Sequence, residues 1–518
     1  MTITSFYFLF LVVIGVIVYY LLPRKVQWIE LLVISLVFYY YAATPYTIAY
    51  LIISTLIAYG STMFVAELRK NDKGCKLSLF ITSVALSLNI LVWFVVKGRE
   101  LWEFPLKCLV SHKNIPVIES VLNTQWVAAL GMGYYTLQIV GYIIDCYWEN
   151  ITPQKNPLKL FLFVNYFPQL ITGPISRYSR LETLYTGHRF EYRNLAFGAQ
   201  RILWGFFKKI VLAERVNIIV SSINSNSDIY TGFYSWLVIL LYPLQMYADF
   251  SGCMDIVLGV SELFGIRLEE NFRNPFLART SQEFWQRWHI TLGTWAKDYV
   301  LYPLLKSKPM IRFGKLTKKK FGKKTGKFLV NLVGMFVLWM VMGIWHGGIR
   351  FIIGVSLWYW IILMLGDLLS PILTRVTKIL CIKTDCFSYH LFQSCRTYLI
   401  YAVGAAFFSM GVTGGVTLLK NAGRVLYDSN YANPWIFFDG SIVNLGVTYG
   451  DINIIIIGII MLFIVAAFRE KYGYARIWME EQGIWFRWLV WLGLFVFVLI
   501  WGMYGPGYSA SEFIYQGF

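Results

Sequence analysis

LVNLVGMFVLWMVMGIWHGGI, residues Leu329–Ile349, runs for 21 residues with no charged side chain and one ionisable group, His346. At 1.5 Å per residue this length matches the roughly 30 Å hydrocarbon core of a bilayer. From Leu329 at the cytoplasmic edge, 17 residues carry the chain roughly 25 Å inward to His346. An imidazole at that depth is costly and by default marks a functional site. Gly347 and Gly348 follow it, where the helix ends and backbone or ligand can approach closely.

The rest of the chain reads the same way. Of its 518 residues, 57% are apolar and 14% charged, against about 25% charged in a soluble domain. Uncharged stretches such as Leu77–Val96 and Ile454–Phe468 have no place in a soluble fold. The 20 Trp and 35 Tyr suit a chain crossing many membrane interfaces. The expected class is an all-α polytopic membrane protein with no separate soluble domain, residues 1–158, 159–369 and 370–518 being sections of one unit.

The net charge of +18 is concentrated. Lys306–Lys327 holds ten basic residues and no acidic one. Flanked by apolar segments and lacking any base-reading motif, it reads as a cytoplasmic loop on anionic headgroups, not as a nucleic-acid site. The seven cysteines are scattered, and Cys381, Cys386, His390 and Cys395 lack the short paired spacing of a zinc site. No metal is expected.

The first 23 residues carry no charge before Arg24. With no basic n-region or cleavage site they read as a retained helix. Further spans start near Trp28 and Pro45. The Ala43–Thr44 link is uncharged, whereas the loops before and after it hold Lys and Arg, which places the N-terminus outside. The loop Lys97–Ser120 then lies outside as well. A span from about Leu122 to Trp148 carries Gln138 and Asp145, expected to hydrogen-bond neighbouring helices. Lys159–Tyr178, interrupted by Pro168, Gly173 and Pro174, is too short and broken for an ordinary span and reads as re-entrant.

An amphipathic helix with Lys208 and Lys209 leads into a span from Tyr230 to about Asp249. Asp249 and Asp255 are too far round a helix to act as a carboxylate pair. They are expected to anchor the cationic segment that holds Arg267, Arg273, Arg279 and Arg287. Later spans are expected over Phe351–Leu369, Leu399–Val412, Ile452–Phe468 and Trp488–Tyr504.

The companion of the His346 stretch is NFRNPFLARTSQEFWQRWHITLGTWAKDYVLY, Asn271–Tyr302. Apolar positions 284, 288, 292, 295 and 299 recur at helical spacing, which predicts an amphipathic helix at the membrane face. On that helix His289 is either a capping residue at headgroup level or a second site residue. No GxSxG, Walker or dinucleotide-binding motif occurs, so covalent serine or cysteine catalysis is unsupported. A transporter would also use broken spans, but no paired inverted repeat accompanies them here.

YFPQLITGPISRY (Tyr166–Tyr178), the run from Ala248 to Leu304 and MGIWHGG (Met342–Gly348) resemble signature blocks of the membrane-bound O-acyltransferases. GYYTLQ (Gly133–Gln138) and FIYQGF (Phe513–Phe518) resemble its bacterial alginate O-acetyltransferase branch. The resemblance implies a ring of about 10–12 tilted helices, with re-entrant and interfacial helices, around a central tunnel. It puts the catalytic role on His346 and makes His289 a second essential position. Asp298, Arg279, Trp285, Trp345 and Asn271 are the supporting candidates. Gly348 stands where many relatives have Ala, and Ala248 where an aromatic is common.

The function implied is transfer of an acetyl group from a cytoplasmic thioester, acetyl-CoA or an acyl carrier, to hydroxyls of a surface polysaccharide. No bound cofactor is implied. Membrane lipid and a secreted SGNH-type protein are the implied partners, and the bacterial plasma membrane is the implied location. D-alanyl transfer to teichoic acid is the nearer alternative.

Overall fold

The computed structural model describes residues 1–70, 75–110, 126–348, 351–428, 434–437 and 439–505, with 122 and 124. The terminal FIYQGF motif, part of the Lys97–Ser120 loop and the last residue of the His346 stretch lie outside them. The chain is an all-α multi-pass membrane protein. Eight of the described helices are long and apolar enough to cross a bilayer, and two shorter apolar ones precede them.

In chain order the main helices are α1 Phe6–Leu21, α2 Gln27–Ala42, α3 Ile48–Lys70, α4 Cys75–Val96, α5 Met132–Tyr147, α6 Phe233–Leu263, α7 Lys308–His346, α8 Trp358–Ile379, α9 Phe387–Arg424, α10 Tyr449–Tyr472 and α11 Ile484–Trp501. The outer helices α10 and α11 leave most of their apolar side chains exposed, as lipid-facing surfaces do. Helices α5 and α6 are buried along most of their length. They are the middle of the molecule.

Four expectations change. The segment read as the span Leu122–Trp148 supplies α5, an interior helix whose Asp145 accepts a hydrogen bond from the Tyr299 hydroxyl at 2.6 Å. The span expected to end near Asp249 continues unbroken through Leu263, because apolar residues surround its two aspartates. The basic run is not a loop. Gly322, at φ 82°, folds α7 back on itself, so that Gly326 lies against the Lys318 backbone and Gly314 against Val330. The lysines therefore decorate a helical hairpin, and the arm 323–346 is the spanning one. Gly411, at φ 71°, folds α9 in the same manner.

Lastly, Lys208 and Lys209 are buried, not solvent-facing. Their stretch, a π-helical turn at Phe207–Ala213, follows the helix Tyr192–Phe206 that packs on α6. Paired glycines let the two backbones meet: a Cβ on Gly198 would stand 2.7 Å from the Gly259 carbonyl, and one on Gly205 2.6 Å from that of Gly252. The close approach brings Lys209 to Asp249 (2.6 Å) and Glu214 (2.8 Å), and Lys208 to Asp255 (2.5 Å). Arg201 joins Asp255 (2.9 Å) and grips Glu270 with two hydrogen bonds (2.7 and 2.8 Å). The two aspartates thus pair with this helix and not with the arginines of residues 267–287. Buried charges must be paired, and the nearest cations are these.

Candidate active site

The long amphipathic helix expected over Asn271–Tyr302 is broken at its histidine. Ser281–Arg287 and Ile290–Ala296 are separate short helices, and His289 between them holds φ 48°, a left-handed conformation unusual for a residue with a side chain. The chain holds the turn from outside. Phe272 and Trp288 form an antiparallel bridge, the Arg273 amide donates to the Arg287 carbonyl (2.9 Å), and the Ile290 amide donates to the Asn271 carbonyl (3.0 Å). Phe284, Trp288, Leu292, Trp295 and Tyr299 are all buried, so the periodicity marked the inward face correctly. Its continuity was not to be had from spacing.

His289 is correspondingly buried, 4% exposed. Asn271 Oδ1 accepts from the Thr291 amide (3.1 Å) and hydroxyl (2.9 Å) and stands 3.1 Å from His289 Nδ1. A backbone N–H can only donate, so that Asn atom is the oxygen. An oxygen acceptor requires Nδ1 to carry the proton, and in the neutral ring the lone pair then resides on Nε2. Asn271 follows Glu270, which Arg201 grips. A chain of contacts from the buried ionic network to the imidazole results.

His346 is the last residue of α7. Its ring stacks on Phe351 (centroids 5.3 Å apart) and meets Trp345 edge-on at 4.7 Å. Trp345 lies 6.4 Å from the His289 ring and donates through Nε1 to the Gly133 carbonyl at 3.0 Å. Trp345 thus adjoins both imidazoles. Gly347 (φ 82°) and Gly348 (φ 67°) turn the chain sharply away, and a Cβ on Gly348 would fall 2.2 Å from the Glu100 carboxylate. Both must be glycine.

Two cavities meet at His346. The larger, about 1240 Å³, is lined by both histidines and by Asn331, Met335, Leu338, Trp339 and Met342, one face of α7. Fifteen residues separate Asn331 from His346, so this wall runs back toward the basic hairpin for roughly 22 Å. The second cavity, about 600 Å³, is lined by His346, Gly347, Gly348, Lys97, Arg99 and Glu100, at the end of α7 away from the hairpin. His346 borders both and His289 only the first.

A family model described as MBOAT, membrane-bound O-acyltransferase family, matches residues 117–318. Over these residues the chain is similar to the membrane-bound O-acyltransferase family. The match contains His289 and Asn271 and ends before His346. Among curated relatives it is 28% identical to a probable alginate O-acetylase of Pseudomonas syringae pv. tomato, over 56% of this chain and 51% of that one. It is 31% identical to a peptidoglycan O-acetyltransferase of Helicobacter pylori (43% and 45%) and 31% identical to a teichoic acid D-alanyltransferase of Bacillus subtilis (43% and 54%). The chain spans about half the length of these relatives.

The supporting candidates divide by position. Trp285 lines the larger cavity, edge-on to Trp339 (4.9 Å) and Tyr359 (4.6 Å). Arg279 also lines it; its amide donates to Glu283 (2.8 Å) and its carbonyl accepts from Arg396 (2.8 Å). Asp298 lines neither cavity and is ion-paired with Arg177. Among the described residues no cluster of three His, Cys, Asp or Glu side chains has the arrangement of a metal site. Sequence reasoning missed Arg201, Glu270 and Lys97. The signal for the first two was present, since ionisable residues in so apolar a chain need partners.

Proposed function

We propose that this protein transfers an acyl group, acetyl by preference, from a thioester to hydroxyls of a cell-surface or exported polysaccharide. The observation that carries the reading is His346 bordering both cavities. A donor in the larger cavity and an acceptor in the smaller would meet at one imidazole. His346 takes the proton of the acceptor hydroxyl as its oxygen attacks the thioester carbonyl. The tetrahedral intermediate expels the thiolate, which recovers the proton. General-base assistance of this kind contributes about 10²–10⁴-fold.

With the basic hairpin in the cytoplasm, as charge bias favours, the larger cavity faces the donor. Its volume exceeds the roughly 300–1,000 Å³ of ordinary small-ligand pockets and suits the long arm of coenzyme A or a carrier protein. The hairpin's positive field would attract either anionic donor. His289 borders the donor side alone and would orient the thioester. The protein would sit in a bacterial plasma membrane with its N-terminus outside, serving a polysaccharide directly or through a secreted SGNH-type partner.

The test replaces His346 by Ala, confirms membrane insertion and measures base-labile acyl groups on surface polymers. Unchanged acylation overturns the mechanism. Release of D-alanine in place of acetate from the wild-type polymer would move the protein to the teichoic acid reading, which the Bacillus relative keeps in view.

A further inference from the structure

The smaller cavity holds a cation that the mechanism above does not use. Lys97 follows α4 directly and, by sequence alone, is one more charge of an outer loop. In the structure its side chain turns in to line the cavity beside His346. Gly133 makes the room: a Cβ there would stand 3.2 Å from Lys97 Nζ and 3.3 Å from the Trp345 ring, so the ammonium lies alongside the indole that adjoins His346. The Lys97 carbonyl borders Gly347 as well.

What sets Lys97 apart is that no described residue supplies its side chain with a counter-charge. Arg201, Lys208, Lys209 and Arg215, the other inward-facing cations, are each ion-paired. Arg99, its neighbour on the cavity wall, is paired with Glu103 at 2.8 Å and donates to the Leu122 carbonyl. The Lys97 amide donates to the Trp93 carbonyl at 2.8 Å, but its ammonium makes no hydrogen bond or ion pair with any described residue. The other ionisable groups on this wall are Glu100, Tyr134 and His346. The exposed Glu100 carboxylate lies against Gly348 and not against the ammonium. An uncompensated cation beside a membrane cavity is costly unless a ligand supplies the anion.

We propose that Lys97 is the acceptor-side anchor of the transfer site, binding a carboxylate or phosphate of an anionic polymer so that a neighbouring hydroxyl is presented to His346. The proposal rests on the acyl-transfer reading for its purpose but not for its chemistry. Lys97 is thus a positioning and specificity residue: it selects charged acceptors and leaves proton transfer to the histidine.

The test is binding to the full-length protein in lipid nanodiscs, read by fluorescence anisotropy. Three labelled probes are used: a uronic-acid hexamer, its carboxyl-reduced neutral counterpart and a glycerol-phosphate hexamer. A charge-assisted hydrogen bond is worth about 1.5–3 kcal/mol, so at least one charged probe should bind about ten- to a hundredfold tighter than the neutral one. Lys97→Gln should erase that preference and Lys97→Arg keep it, both with wild-type melting temperatures. Whichever charged probe shows the Lys97-dependent gain identifies the anion. Equal binding of charged and neutral probes by the wild type overturns the proposal whether or not Lys97→Gln folds, and so does a preference that survives Lys97→Gln. If the anchor holds but the wild type esterifies neither charged probe from acetyl-CoA or an acyl carrier thioester, the acyl-transfer reading fails and the binding site stands.

Discussion

His289 and His346 are both buried, both flanked by tryptophan and both beside the Trp345 indole, yet they are built in opposite ways. His289 is over-determined: a bridge clamps its turn, Asn271 fixes its tautomer, and Glu270 ties that asparagine to Arg201. His346 sits at the end of a helix among rings, before two glycines and between two cavities. Rigidity surrounds the group that would orient, and open space surrounds the group that would react. A reacting imidazole has to meet two substrates arriving from different sides, and any tight scaffold around it would block one of them.

The sharpest way to break this contrast is to exchange the roles. His346→Ala should lower polymer acylation by about 10²–10⁴-fold while leaving the melting temperature near wild type, since the ring borders two cavities. A retained rate would transfer the reacting role elsewhere. Arg201→Met should do the reverse, costing about 3 kcal/mol of stability by taking the two-point partner from Glu270 and one of the two cations from Asp255, read as a lower melting temperature in detergent. If its melting temperature is unchanged, the ionic network does not hold the His289 side. Asn271→Ala removes the acceptor that fixes the His289 tautomer. About 1–3 kcal/mol is expected, and it should appear in the rate of correctly folded protein. Loss of folding alone, with normal specific activity, would make Asn271 a structural residue only.

The same contrast explains what could be read from sequence. His346 was legible because an ionisable group interrupts 21 otherwise uncharged residues. The apolar stripe through Phe284, Trp288 and Tyr299 gave the buried face of its segment. The break at His289 was not legible, because a left-handed histidine is imposed by hydrogen bonds from residues 271–273, distant in sequence. The fold-backs at Gly322 and Gly411 escaped for a related reason: glycine permits a reversal, but only the packing of the two arms requires it. Lys208 and Lys209 looked amphipathic because periodicity cannot register a glycine-lined helix pressed against α6. Lys97 was counted as a topology charge, since nothing local tells an interfacial lysine from one that turns inward.

That last residue carries the smallest effect and extends the comparison to the acceptor side. Burial draws the Lys97 ammonium down from 10.5 to about 8. Its charged form is the one that binds an anion, so anchoring should be complete well below pH 8 and fade as pH rises through it. Between pH 7 and 9 the charged fraction falls about tenfold, and the apparent affinity for a charged acceptor should fall with it. His346, Tyr134, Glu100 and Arg99 face the same cavity. Lys97→Arg isolates the lysine, because a guanidinium keeps its charge across this range. The wild type should therefore show a rising acceptor KM above pH 8 and the arginine variant a flat one. Parallel profiles would assign the pH dependence to another group on the wall, and the anchor would then have to be fully charged at the pH of the reaction.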